Sequence, residues 1–97
     1  VEVDYAKHVF HVSATRVHDR DEMMAYLAKQ DIHCGIHYPV PLHLQDAYQL
    51  LGYREGAFPV AERCAREFLS LPMFPELTAE QIERVCEGIR SFLAVTV

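Results

Sequence analysis

Between Gly35 and Tyr48 the chain reads GIHYPVPLHLQDAY, with two imidazoles, two phenols and two prolines in one short stretch. Imidazole and phenol groups both donate and accept hydrogen bonds, so His37, Tyr38 and His43 suit a phosphate or a sugar hydroxyl. Pro39 and Pro41 preset φ and lower the cost of holding those rings in one orientation. A structural use stands beside this one, with Tyr38 and Tyr48 as core aromatics and His37 capping a turn. The residues alone leave both readings open.

Other chemistries are less well served. His33, Cys34 and His37 could ligate zinc with His8, His11 or His43 completing the set. Strand geometry puts residues 33 and 37 on one face and Cys34 on the other, and no Cys-x-x-Cys pair exists. Ordinary surface or hydrogen-bonded histidines account for the pattern better. Cys64 and Cys86 fall in apolar helical stripes, where a thiol behaves as a small hydrophobe, and nothing beside Cys34 marks it as activated. There is no glycine-rich phosphate loop and no G-x-S-x-G elbow. Glu22, Glu62, Glu67, Glu80, Glu83 and Glu87 fall where helices meet water and read as solvated charge.

The elements that must position these residues can be traced along the chain. From His8, Phe10, Val12 and Ala14 fall on one face and His11, Ser13 and Thr15 on the other, the period of a strand half buried against helices. Asp19 is placed to cap the helix Arg20–Gln30, whose Met23, Met24, Leu27 and Ala28 recur at helical spacing. Asp31 breaks it. IHCGIHYP predicts a second strand running into a rigid turn at Pro39. A short helix is expected from Leu42 to Leu51, capped by Gly52. YREGAFP is loop, and Pro59 opens a helix with Val60, Cys64 and Phe68 on one stripe and Ala61, Ala65 and Leu69 beside them. LSLPMFPEL reads as a short edge strand or an extended connection. Thr78 and Gln81 form a capping-box pair before the final helix, with Ile82, Val85, Cys86, Ile89, Phe92 and Leu93 at spacings of three and four. The sum is an α/β (α+β) two-layer sandwich, a short, mainly antiparallel sheet with helices packed on one face.

Composition bounds the rest. The 97 residues make one small domain, 51% hydrophobic, with room for a single core and little reserve. The formal charge of −5 and the lack of any Lys/Arg cluster make nucleic acid and acidic membrane surfaces poor partners. No apolar run approaches the roughly 20 residues needed to cross a bilayer, and no signal peptide is expected before the first strand. Three irregularly spaced cysteines read as reduced thiols in a cytoplasmic setting. A chain that opens VEVDYAKHVFH, with no initiator Met, reads as part of a longer one.

The whole chain resembles the C-terminal part of the DegT/DnrJ/EryC1/StrS sugar aminotransferases. The resemblance rests on HVFHV at His8–Val12, RDEMMAYLAKQDIHCGIHYPVPLHLQDAY at Arg20–Tyr48, LGYREGAFPVAE at Leu51–Glu62 and LSLPMFPELTAEQIERV at Leu69–Val85. The GIHYPVPLHLQ and LSLPMFPEL blocks are the most specific. DIHCGIHYP departs from the family, which more often has a glycine and a small polar residue before GIHYP. The resemblance implies the C-terminal small domain of a fold type I, pyridoxal-phosphate-dependent enzyme working in amino-sugar or polysaccharide biosynthesis. Such an enzyme transfers an amino group from an amino acid, usually glutamate, to a nucleotide-linked keto-sugar. It also implies a homodimer whose active site lies at the seam between subunits and between the large and small domains.

On that resemblance His37 and Tyr38 are expected to contact the sugar nucleotide or the cofactor–substrate adduct. His43 and His11 are expected behind them or on the substrate side, and none of the four serves as catalytic base. The Schiff-base lysine lies upstream in the family, and Lys7 and Lys29 do not match it. The chain alone is therefore expected neither to bind the cofactor covalently nor to turn over. Tyr38, Pro39, Val40, Leu42 and Phe58 would form an apolar patch prone to self-association. A stand-alone binding or interaction module is the alternative, and a zinc-binding module the more distant one.

Overall fold

The computed structural model describes residues 3–96; Val1, Glu2 and Val97 lie outside it. The elements are β1 (Ser13–Arg16), α1 (Arg20–Ala28), two 3-10 turns (Leu42–Leu44 and Asp46–Leu51), α2 (Pro59–Glu67), β2 (Phe68–Leu71) and α3 (Ala79–Thr96). The sheet is two antiparallel strands in which Ser13 faces Leu71 and Arg16 faces Phe68.

β1 is shorter than the alternation from His8 predicts, and its burial is reversed. Phe10 takes a φ of 51°, which ends any extended run before Ser13. Ser13 and Thr15 are half-buried, whereas Val12 and Ala14 are exposed. The register explains this: Thr15 lies opposite Leu69, which is 0% exposed and packs with Met23 and Leu27 of α1 and Phe92 of α3. Alternation then turns Ala14 and Ser70 to the opposite face of the sheet.

β2 is an edge of this two-stranded sheet, as expected, and one bridge meets its other side. The expected strand IHCGIHYP contributes a single bridge, in which Gly35 and Ser70 exchange both N–H···O bonds at 2.8 and 2.9 Å. β2 thus lies between β1 and Gly35. Beyond Gly35 the chain leaves the ladder, and Pro39 and Pro41 bring no N–H that could extend it.

α1 ends at Ala28, two residues before the expected limit, and the Asp19 side chain makes no capping bond. The stop is nonetheless well made. The Asp31 N–H bonds to the Ala28 carbonyl and the Ile32 N–H to the Leu27 carbonyl, with Asp31 at φ 61°. This is a Schellman ending in which an aspartate fills the left-handed position and Ile32 drops into the core. Leu42–Leu51 is a pair of 3-10 turns separated by an extended Gln45, closed by Gly52 at φ 73° as expected.

In α2, Pro59 occupies the first turn, but Val60 and Ala61 are exposed and the buried residues are Glu62 and Ala65. At the start of α3 the capping box is formed: the Thr78 N–H bonds to Gln81 Oε1 and the Gln81 N–H to Thr78 Oγ1. α3 buries Phe92 and half-buries Val85 and Ile89, while Ile82, Cys86 and Leu93 are exposed. Gly88 allows the close approach to α1, since a Cβ there would lie 2.8 Å from Leu27 Cδ2 and 3.2 Å from Ile32 Cδ1.

The apolar core is small: Met23, Leu27, Ile32, Leu69 and Phe92. The radius of gyration is 16.2 Å, against about 13 Å for a compact chain near 100 residues. The chain has one core, but it is not wrapped around it.

Candidate functional site

The GIHYPVPLH segment meets β2 through His37, at Ser70, whose neighbour Leu69 faces the core. His37 lies against Gly35, where a Cβ would come within 3.2 Å of the ring, and its Nδ1 is 2.9 Å from the Oγ of buried Ser70. That bond engages one ring nitrogen and leaves Nε2 as the other polar atom. The His37–Tyr38 peptide is cis. The Tyr38 ring meets His37 edge-on at 5.9 Å between centroids and is 74% exposed. Neither His37 nor Tyr38 is enclosed, and neither Tyr38 nor Tyr48 is a core residue. The core-aromatic use of these tyrosines is thereby excluded.

His37, Tyr38 and Leu42 form one wall of an open groove, and Ala61, Cys64 and Phe68 form the other. Its lining is mainly apolar, with Gln45 adding an amide. Of the expected α2 stripe of Val60, Cys64 and Phe68, with Ala61, Ala65 and Leu69 beside it, Val60 and Ala61 are exposed, Cys64 and Phe68 are half-buried, and Ala65 and Leu69 are buried. Tyr38, Pro39, Val40, Leu42 and Phe58 are all exposed, as the apolar patch requires.

His43 is placed differently. It is 9% exposed, and its Nε2 lies 2.9 Å from Glu62 Oε1. A carboxylate only accepts, so Nε2 donates. Glu62, expected as solvated charge, is 5% exposed. It also accepts the Gly56 N–H on both oxygens, at 2.9 and 3.0 Å, and the Phe58 N–H at 3.2 Å. The Gly56 N–H holds the Glu62 carboxyl below its usual range against the opposing effect of burial, with Phe58 and His43 adding to the lowering. The His43 ring stacks edge-on with Phe58 at 4.8 Å. Glu67 is likewise half-buried rather than solvated. Hydrogen bonds from Arg16 at 2.7 and 2.8 Å lower its pKa, again against desolvation.

His11 stands apart, exposed in the N-terminal segment, where it lines a shallow depression with Lys7 and His8. His33 lies 3.1 Å from Asp31. Cys34 packs against the core, and burial pushes its thiol pKa up, away from the reactive thiolate. Cys86 is exposed, not buried in a stripe. Among the described residues, no three His, Cys, Asp or Glu side chains converge as metal ligands. No helix among them is long and apolar enough to cross a membrane.

Glu62 is the residue that sequence reasoning missed. A glutamate three places after Pro59 looks like any first-turn acid of a helix, and its three donors become visible only once the 53–58 loop is folded.

The chain is similar to known proteins in sequence and in fold. The model of the DegT/DnrJ/EryC1/StrS aminotransferase family matches residues 1–90, and the chain belongs to that family. It is 52% identical over 91 residues to a pleiotropic regulatory protein of Geobacillus stearothermophilus, covering 94% of this chain and 24% of that protein. It is 38% identical over 89 residues to the dTDP-3-amino-3,6-dideoxy-alpha-D-galactopyranose transaminase of Aneurinibacillus thermoaerophilus, covering 92% of this chain and 24% of that one. Among solved structures, S. venezuelae DesV in complex with a ketimine intermediate superposes with a TM-score of 0.84 at 40% identity. That match covers 89% of this chain and 23% of DesV. The chain thus spans about a quarter of the length of the curated relatives it matches.

Proposed function

We propose that this chain is the C-terminal part of a pyridoxal-phosphate-dependent aminotransferase that moves an amino group from an amino acid, glutamate first among candidates, to a nucleotide-linked keto-sugar. In this reading the chain supplies one wall of the substrate cleft. His37 and Tyr38 hydrogen-bond the sugar nucleotide or the adduct it forms. His43 supports them from behind, and His11 lies toward a neighbouring surface. The large domain and a second subunit cover the exposed apolar patch, and the setting is cytoplasmic amino-sugar or polysaccharide biosynthesis.

The observation that carries this reading is the state of His37: its ring is pinned through Nδ1 to a buried hydroxyl, yet exposed on a groove beside an exposed phenol. A side chain that is both fixed and accessible is prepared to bind. The residues present do not by themselves fit the cofactor. The groove has no lysine, Lys7 lies in the separate N-terminal depression, and Lys29 follows α1 at its exposed end. The chain alone is accordingly expected to be inactive, with the covalent anchor elsewhere in the parent polypeptide.

The test is steady-state kinetics of the parent with glutamate and a nucleotide-linked keto-sugar. His37→Ala and Tyr38→Phe should each raise the sugar KM about tenfold, the equivalent of one lost hydrogen bond. A parent that aminates no such sugar, or variants whose KM does not move, would refute the proposal. Borohydride treatment of the 97-residue chain with pyridoxal phosphate should leave no adduct at a specific lysine.

A further inference from the structure

The groove wall that carries His37 and Tyr38 is a short strap from His37 to His43, and an imidazole fastens each end. His37 is bound to Ser70 of β2, and His43 to Glu62 of α2, both at 2.9 Å. Pro39 and Pro41 stiffen the span between them. The Glu62 carboxylate also receives the backbone of the loop before α2, through Gly56 and Phe58. One buried group therefore ties together the far end of the strap, the 53–58 loop and α2 itself.

The second wall of the groove is α2. Ala61 and Cys64 line it, and they flank Glu62 in sequence. The His43–Glu62 bond thus links the end of the strap to α2, the helix that carries the second wall. Neither Glu62 nor His43 is part of the lining; Glu62 reaches the strap through His43 and the other wall through the backbone of α2. We propose that Glu62, acting through His43, is a positioning residue that sets the width of the His37–Tyr38 groove and thereby the placement of both rings on the substrate. The inference rests on the reading of the groove as a substrate wall. The chemistry requires a carboxylate, because all three partners are donors. A glutamine keeps the shape but turns an amide N–H toward one of them, and an alanine leaves all three without their acceptor.

The experiment uses the parent polypeptide with E62A, E62Q, H43A and the double variant, and it has two readouts. The first is amide hydrogen exchange, which needs no substrate. The Leu44 and Gln45 amides bond to the Pro41 and Leu42 carbonyls at the end of the strap. They should exchange roughly tenfold faster in E62A and H43A, while Gly35 and Ser70 stay protected. The second is the KM for the nucleotide-linked keto-sugar. It should rise about tenfold in E62A and H43A with kcat within about threefold, E62Q should fall between, and the double variant should be no worse than H43A alone.

A purely structural Glu62 would lower the amount of folded protein and leave the KM of the folded fraction unchanged, which would overturn the proposal. Unchanged exchange at Leu44 and Gln45 would overturn it as well. If E62A does not fold, E62Q and H43A carry the same two readouts. If the wild-type parent aminates no keto-sugar, the functional reading fails by itself, and the exchange data still decide whether Glu62 holds the strap.

Discussion

The two halves of this small domain are held by opposite means. Around α1, α3 and the face of β2 that carries Leu69, the buried side chains are apolar: Met23, Leu27, Ile32, Leu69 and Phe92 form the core. Around α2 and the 36–58 segment the pattern inverts. There Ala65 is buried with the polar His43 and Glu62, Ser70 of β2 is buried beside them, and Leu42, Leu50, Leu51, Tyr53, Phe58 and Val60 are exposed. The first half is organised by removing apolar area from water, which is non-directional and tolerant of detail. The second is organised by hydrogen bonds of defined geometry, which fix side chains at the cost of satisfying every buried donor.

Replacements in the apolar half should therefore have the largest effect. Leu27→Ala removes a side chain that is fully buried between α1, α3 and β2, and should cost about 2–5 kcal/mol in urea or thermal unfolding. A loss below about 1 kcal/mol would mean that this core does not hold the domain. Gly88→Ala tests the same half from the opposite side. Its new methyl must displace the ends of Leu27 and Ile32, and overpacking of this kind costs about 1–3 kcal/mol. A neutral result would show that α1 and α3 can separate without penalty.

The polar half should reveal itself through pH. The Gly56 N–H, with help from Phe58 and His43, lowers the folded-state pKa of Glu62. A depressed carboxyl contributes stability that is fully present above the unfolded value of about 4.3 and is lost as pH falls through the folded value. The difference in Tm between wild type and Glu62→Gln should thus be greatest above roughly pH 5 and shrink as acid protonates the carboxylate. His43 is the titratable side chain hydrogen-bonded to it, so the series should be repeated in His43→Gln. A difference that stays constant from neutral pH to about pH 3 would remove Glu62 from the set of ionised buried groups.

The two halves were also unequally legible. Helix periodicity and the Thr78–Gln81 pair identified α3, and Pro59 and Gly52 marked the ends they were expected to mark, because these signals are local. The prolines of HYPVP mark the place where the chain leaves the ladder. What a period of two cannot say is which face of a strand finds a partner. Val12 and Ala14 looked like the buried face of β1, but the pairing of Thr15 with Leu69 decided otherwise. The strand expected at IHCGIHYP became one bridge because its continuation serves the His37–Ser70 contact instead of the ladder. Glu62 was illegible for the same reason: its burial depends on donors from two other segments, and no local pattern encodes that meeting.

The smallest expected effect is the sharpest test of the inversion. Leu50 is 97% exposed on the second 3-10 turn, and Leu51 is exposed beside it. In an ordinary globule a leucine replaced by serine loses burial energy. Here no burial exists to lose, so Leu50→Ser should change the unfolding free energy of the 97-residue chain by no more than about 0.5 kcal/mol. The same change should reduce self-association, measured by light scattering across a concentration series, because it removes apolar surface from an exposed patch. If Leu50→Ser instead destabilises the chain by more than about 1 kcal/mol, the segment packs on its own domain. The α2 half would then be a second apolar core, and the contrast between the two halves would no longer hold.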